Sequence, residues 1–266
     1  MIADMSKTER NVNIDQRDGA TLDKIEIALS VDRFAKYVDV CGGNRKAAFR
    51  LYGWNTAVSA AFYGPLQMVE VTLRNSLHAA LSAQYGLAWY ENVESGLDAY
   101  ALKKIDESRR NLLKGGRVAD PSHMVANLSF GFWVSLLSPG GRLPFERGNP
   151  AWRFWMSLLS LRGRRSAVTS KANYEMTLWR PALWRAFPNV PKPNRRAVHR
   201  PFEYMRLLRN RIAHHKPIYA RRLDKDYESI LTVLNWMSPE ACIWVKAFSR
   251  IPDLLAQFRE AEHVKF

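Results

Sequence analysis

The chain has 266 residues, 47% of them hydrophobic and nine of them tryptophan, enough apolar surface to bury a core and to exclude wholesale disorder. Its formal charge of +15 favours a polyanionic partner, bound through phosphate contacts and counterion release. No apolar run reaches the roughly 18–20 residues of a membrane span, so no membrane partner is expected.

The first residues, Met1 to Arg10, lack the apolar stretch of a signal peptide. Only Cys41 and Cys242 are present, without metal-like spacing, which fits reduced thiols and a cytoplasmic location. Residues 1–22 are polar and unpatterned, and are read as a flexible N-terminal arm. Apolar positions from Leu22 to Val40 predict a helix, ended by Gly42-Gly43-Asn44. Arg45 to Tyr85 predicts a long helical region that Gly64-Pro65 kinks or splits. Its second half carries Glu70, Arg74 and His78 at four-residue spacing on an otherwise apolar helix. That stripe is either a solvated face, with Glu70 and Arg74 in favourable order for an ion pair, or one wall of a site.

Leu97 to Leu113 predicts an amphipathic helix closed by Gly115-Gly116. Pro121 to Leu137 predicts another, with Ser122 as a candidate cap, Phe130, Phe132 and Trp133 as core and His123 on the surface. Residues 138–180 read as a loop-rich basic insertion around a short apolar piece, Phe154 to Leu161. Six arginines between Arg142 and Arg165 alternate there with Phe145, Trp152, Phe154 and Trp155. Such a pattern either binds single strands by phosphate contact and stacking or packs its aromatics and solvates its arginines. A short helix over Pro181 to Phe187 is followed by a link extended by Pro188, Pro191 and Pro193.

Asn194 is placed to cap a central helix reaching about Lys216, before Pro217. Two closing helices follow, over 223–236 and 238–260, the latter capped by Ser238 with Pro239 in its first turn. No strand series, internal repeat, glycine-rich phosphate loop or dinucleotide fingerprint is present. The expectation is an all-α chain forming one helical domain over 23–262.

The central helix carries Arg209-Asn210-x-x-x-His214. At about 100° per residue Asn210 and His214 share a face one turn apart, Arg209 flanks it, and Leu207, Leu208 and Ile212 point elsewhere. RNA is cut without a metal when its 2′-hydroxyl attacks the adjacent phosphorus. That step needs a base, an acid and positive charge on the phosphorane. Histidine serves the first two, with a reference pKa of about 6.5, and the arginine fork serves the third. Asn210 can orient the imidazole or hold a phosphate oxygen. Neither a metal nor another cofactor is expected. His215 points about 100° from His214 and contacts substrate, the Tyr219 hydroxyl or solvent. His199 is read as a surface histidine, and Tyr219 as packing near the site. The basic residues flanking the motif, Arg195, Arg196, Arg200, Arg206, Arg211, Lys216, Arg221 and Arg222, are candidate RNA contacts. So are Arg162, Arg164 and Arg165 of the insertion.

Four blocks in order carry a resemblance: Leu51-Tyr-x-Trp54-Asn55, Glu70-x-x-x-Arg74-Asn75, Leu128-Ser-Phe-Gly-Phe-Trp133 and Arg209-Asn-Arg-Ile-Ala-His-His215. Together they resemble the Abi-like branch of the HEPN superfamily, linked to abortive infection in bacteria, over residues 24 to 245. The resemblance implies a HEPN-like helical bundle with extra helices and a metal-independent endoribonuclease of an anti-phage or toxin system. It further implies a homodimer in which two copies of Arg209, Asn210 and His214 meet in one composite site. Glu70, Arg74, Asn75, His78, His215 and Tyr219 would support that site. Lys216 stands where toxins silenced by adenylylation carry a tyrosine, so that mode of neutralisation is not expected. The alternatives are a non-catalytic protein holding a structured non-coding RNA, and a scaffold meeting an acidic protein.

Overall fold

A computed structural model describes residues 19–139 and 174–259. Every regular element among them is helical and no strand occurs, so the all-α expectation holds. The helices are α1 Gly19–Leu29, α2 Val31–Val40, α3 Arg45–Tyr85, α4 Ala99–Lys114, α5 Pro121–Asn127 and α6 Phe130–Leu137, then α7 Arg195–Ala213, α8 Leu223–Met237, α9 Pro239–Phe248 and α10 Ile251–Arg259. The chain groups into two compact units built from discontinuous segments. The first comprises Met1–Gln67, Leu208–Leu231 and Trp244–Phe266, the second Met68–Leu207 and Thr232–Ile243.

In the first unit, the helix expected over Leu22 to Val40 is two helices. Ser30 adopts φ 74°, and its carbonyl accepts the N–H groups of Arg33 and Phe34 to start α2. Phe34 and Tyr37 are thereby buried with Leu22, Ala48 and Phe49, the Phe34 and Phe49 rings 4.2 Å apart. Burial of Leu22 and the start of α1 at Gly19 shorten the arm expected to reach residue 22. Residues 1–18 lie outside the described chain. Gly42 and Gly43, with φ of 59° and 86°, make the predicted break, and Asn44 Oδ1 accepts the Ala47 N–H at 3.0 Å to cap α3.

Helix α3 runs 41 residues unbroken through Pro65, where a split was one expectation and a kink the other. An internal proline costs about 3 kcal/mol through a lost donor and a clash with the preceding turn. The buried series Trp54, Val58, Phe62, Leu66, Val69, Leu73, Leu77 and Leu81 opposes it, each side chain worth about 1.5–3 kcal/mol. Burial wins, and the helix continues. The expected helix 238–260 does break, at Ser249-Arg250, because Pro252 has no N–H to donate to Phe248 and its ring crowds that carbonyl. Proline is tolerated in the opening turn of α10.

In the second unit, Gly116 at φ 68° ends α4 as expected, with the Arg117 N–H donating to Leu112 O at 3.0 Å. The helix expected over Pro121 to Leu137 divides at Leu128, which is extended (φ −72°, ψ 131°). Asp120, not Ser122, caps α5 by accepting the His123 N–H at 2.8 Å, and Ser129 caps α6. Phe130, Phe132 and Trp133 are core as read from the sequence, with Trp89 and Trp133 rings 5.8 Å apart. The short helix over 181–187 is a 3-10 turn, Leu183–Ala186, after a π-helical turn, Glu175–Trp179. Ser238 caps α9 as expected, accepting the Ala241 N–H at 3.2 Å.

Candidate functional site

Helix α7 is amphipathic: Leu208 and Ile212 are buried, whereas Arg209 and Asn210 are half-buried and His214 is exposed. It ends at Ala213, three residues before the expected Lys216. The final helical bond runs from the His214 N–H to Asn210 O at 3.0 Å, so the one-turn register of Asn210 and His214 survives. Beyond it the chain reverses. The His215 N–H donates to Ile212 O at 2.9 Å and the Lys216 N–H to Arg211 O at 2.8 Å, with His215 left-handed at φ 52°. This closure satisfies carbonyls that a helix end leaves bare, and glycine is its usual occupant. Here a histidine takes that position.

The histidine turn is held from several sides within the first unit. Arg33 of α2 donates to His215 O at 2.5 Å, and Arg211 to Pro217 O at 2.6 Å. Asn55 of α3, only 7% exposed, accepts the N–H groups of Ile218 at 2.7 Å and Tyr219 at 3.2 Å on one oxygen. The Tyr219 ring packs 5.1 Å from Tyr37, which packs 5.0 Å from Tyr52. Burial, and then the neighbouring Tyr52 and Tyr219, push the Tyr37 hydroxyl up to about 12, so it stays protonated. Burial also raises Tyr219 and lowers Arg211, the latter helped by Arg221.

Within the predicted trio, Arg209 Nη1 approaches Asn210 Oδ1 at 3.5 Å, a contact at the limit of a hydrogen bond. A half-buried guanidinium, a half-buried amide and an exposed imidazole thus lie on one helix end. That end also carries Arg211 and receives Arg33, cations that offset its negative dipole. Such an arrangement can hold an anionic oxygen between Arg209 and Asn210 while His214 exchanges a proton with a neighbouring atom.

The supporting residues divide by unit. His215 and Tyr219 share the first unit with the trio, whereas Glu70, Arg74, Asn75 and His78 belong to the second. Arg74 Nε donates to Asn75 Oδ1 at 3.3 Å. His78 is not a free site residue: its Nδ1 accepts the Trp89 indole N–H at 3.1 Å, and burial lowers its pKa. His78, expected as site support, is half-buried and also lies 3.3 Å from the Ser82 hydroxyl. His199, expected at the surface, is 4% exposed.

Several basic residues read as RNA contacts are already committed. Arg195 is corrected outright: it is 3% exposed and donates to the carbonyls of Leu136, Leu137 and Ser138, which α6 leaves bare at its end. Burial lowers its pKa, and Glu175, 3.8 Å away, opposes that. Arg206 forms a two-pronged pair with Glu203 (2.8 and 2.6 Å), and Arg221 one with Asp226 (both 2.8 Å). Arg211 serves the turn. Arg196, Arg200, Lys216 and Arg222 stay exposed. Arg162, Arg164 and Arg165 lie outside the described residues.

Sequence reasoning did not single out Asn55 or Arg33 as functional. Asn55 entered only as the last residue of the Leu51-Tyr-x-Trp54-Asn55 block, which was the available signal for it. Nothing in the sequence pairs Arg33 with residue 215.

A groove of about 420 Å³ in the first unit is lined by Ala60, Ala61, Pro65, Trp244, Phe248 and Arg250 among others, and by none of the predicted site residues. Among the described residues no three His, Cys, Asp or Glu side chains gather in a metal-holding group. No described helix is long and apolar enough to cross a membrane. Comparison with protein-family models, curated proteins and solved structures finds no match to this chain.

Proposed function

We propose that the chain is a metal-independent endoribonuclease of the Abi-like HEPN type, acting in bacterial anti-phage defence or a toxin system, with Arg209, Asn210 and His214 at its catalytic centre. The observation that carries this reading is the exposed His214 one helical turn beyond Asn210, itself 3.5 Å from the Arg209 guanidinium.

In this reading the 2′-hydroxyl of RNA attacks the adjacent phosphorus, its proton passes to a base, and the leaving 5′-oxygen takes a proton from an acid. The products are a 2′,3′-cyclic phosphate and a free 5′-hydroxyl. Arg209 binds the phosphorane oxygens through its planar fork, the kind of electrostatic stabilisation worth a few kcal/mol in a closed site. His214 is base or acid. One imidazole cannot be both within a single step, so a second copy of the chain supplies the other. The openness of the helix end supports such a shared site.

The test is cleavage of a labelled tRNA and mRNA mixture in EDTA by the wild type, Arg209→Ala and His214→Ala. Cleavage by the wild type alone, leaving cyclic-phosphate ends, is the expected result; undiminished cleavage by His214→Ala sinks the assignment.

A second reading, a protein that holds a structured non-coding RNA without cutting it, draws on the charge of +15 and on exposed Arg196, Arg200, Lys216 and Arg222. Tight, salt-sensitive binding without cleavage would select it.

A further inference from the structure

We propose that Asn55, assisted by Arg33, is the positioning residue of the histidine turn: it sets where the His214 imidazole stands without touching substrate. The inference rests on the ribonuclease reading for its catalytic consequence, but its structural content is independent of it.

From His214 to Lys216 the N–H groups still donate back into α7, but those of Ile218 and Tyr219 donate to a side chain instead. Ala213 is the last helical residue, Pro217 has no N–H to give, and the next helix begins at Leu223. Side chains from elsewhere therefore hold this stretch. At its downstream end, one buried oxygen of Asn55 receives two consecutive backbone N–H groups, those of Ile218 and Tyr219. At its upstream end, Arg33 holds the carbonyl of His215, the left-handed residue next to His214. The two anchors bracket the turn. They come from α3 and α2, whose Phe49, Phe34 and Tyr37 form one buried cluster with Tyr219 packed on it.

Removing the Asn55 carbonyl leaves two backbone donors near its buried position without their acceptor and lets the downstream end move. A shift of about 1 Å in a catalytic group can cost on the order of a hundredfold in rate. The loss falls on kcat, because Asn55 is buried and the exposed cations that attract RNA are untouched. Asn55→Asp keeps an acceptor oxygen of the same reach and restores function; Asn55→Ala and Asn55→Leu do not. Arg33→Lys keeps a charged donor and lies between wild type and Arg33→Ala.

The experiment measures single-turnover cleavage, RNA affinity and thermal stability for wild type, Asn55→Ala, Asn55→Asp and Val58→Ala, with ring NMR of 15N-labelled histidines. Val58→Ala removes buried bulk from α3 and controls for destabilisation alone. The expected result is a kcat about ten- to a hundredfold lower in Asn55→Ala, RNA affinity within about twofold, recovery in Asn55→Asp and near-normal kcat in Val58→Ala. The His214 and His215 ring signals broaden or double in Asn55→Ala only. Unchanged ring signals in a folded Asn55→Ala overturn the proposal. So does a kcat loss in Val58→Ala equal to that in Asn55→Ala. If the wild type cleaves nothing, the ribonuclease reading fails while the ring signals still decide the positioning role.

Discussion

The indole N–H of Trp89 donates to Nδ1 of His78 across 3.1 Å, which assigns the ring proton to Nε2 and the lone pair to Nδ1. Protonation of His78 would place a second hydrogen against that donor in a half-buried site, and burial lowers its pKa. The unfolded chain therefore binds more protons than the folded one below the unfolded value of about 6.5. The His78 contribution to stability is intact above that pH and is lost as pH falls towards the lowered folded value. His78→Gln, which offers Trp89 a carbonyl and cannot titrate in this range, should show a shallower fall in Tm between pH 7.5 and 5.5. A slope as steep as wild type would remove His78 from the account.

His214→Ala should lower cleavage by about two to four orders of magnitude, the scale of a lost general acid or base. Because the side chain is exposed, Tm should change little. Circular dichroism melts beside single-turnover assays check both halves.

His215 holds φ 52°, a conformation costing a non-glycine residue roughly 1 kcal/mol. His215→Gly should raise stability by up to about that amount while preserving the bond from Arg33, which uses a backbone carbonyl. If cleavage persists in His215→Gly, His215 serves only the turn; if it collapses in a stabilised variant, the imidazole contacts substrate. Denaturant unfolding and cleavage rate read the two effects separately.

Arg195 and Arg196 are neighbours with opposite fates. Arg195→Ala strands three buried carbonyls and Glu175, and should cost about 3 kcal/mol. Arg196→Ala and Arg200→Ala should leave Tm nearly unchanged, weaken RNA binding and reduce the salt slope by about one each. A salt titration of RNA affinity paired with thermal melts separates these outcomes.

Sequence pattern was informative where chemistry is local. Gly42, Gly43 and Gly116 ended helices as their freedom at positive φ dictates, and Ser238 capped α9 through a side chain three residues from its target. Period alone misled where two short helices share one apolar rhythm. Ser30 and Leu128 interrupt such runs because a cap or a left-handed residue redirects the chain, and neither breaks the apolar spacing. Pro65 does not split its helix, since its local cost is overcome by side chains buried along α3.

The amino-acid sequence by itself determined the all-helical class, the basic surplus and the register of Arg209, Asn210 and His214, because composition and helical spacing need no partner. Only tertiary structure decided which cations stay exposed and what holds the histidine turn. Arg195 and Arg196 are identical in type and adjacent in the chain, yet one faces the bare carbonyls of α6 and the other faces solvent. Asn55 and Ile218 are 163 residues apart and meet at 2.7 Å. Burial and distant hydrogen-bond partners arise when helices pack, and spacing along one helix does not contain them.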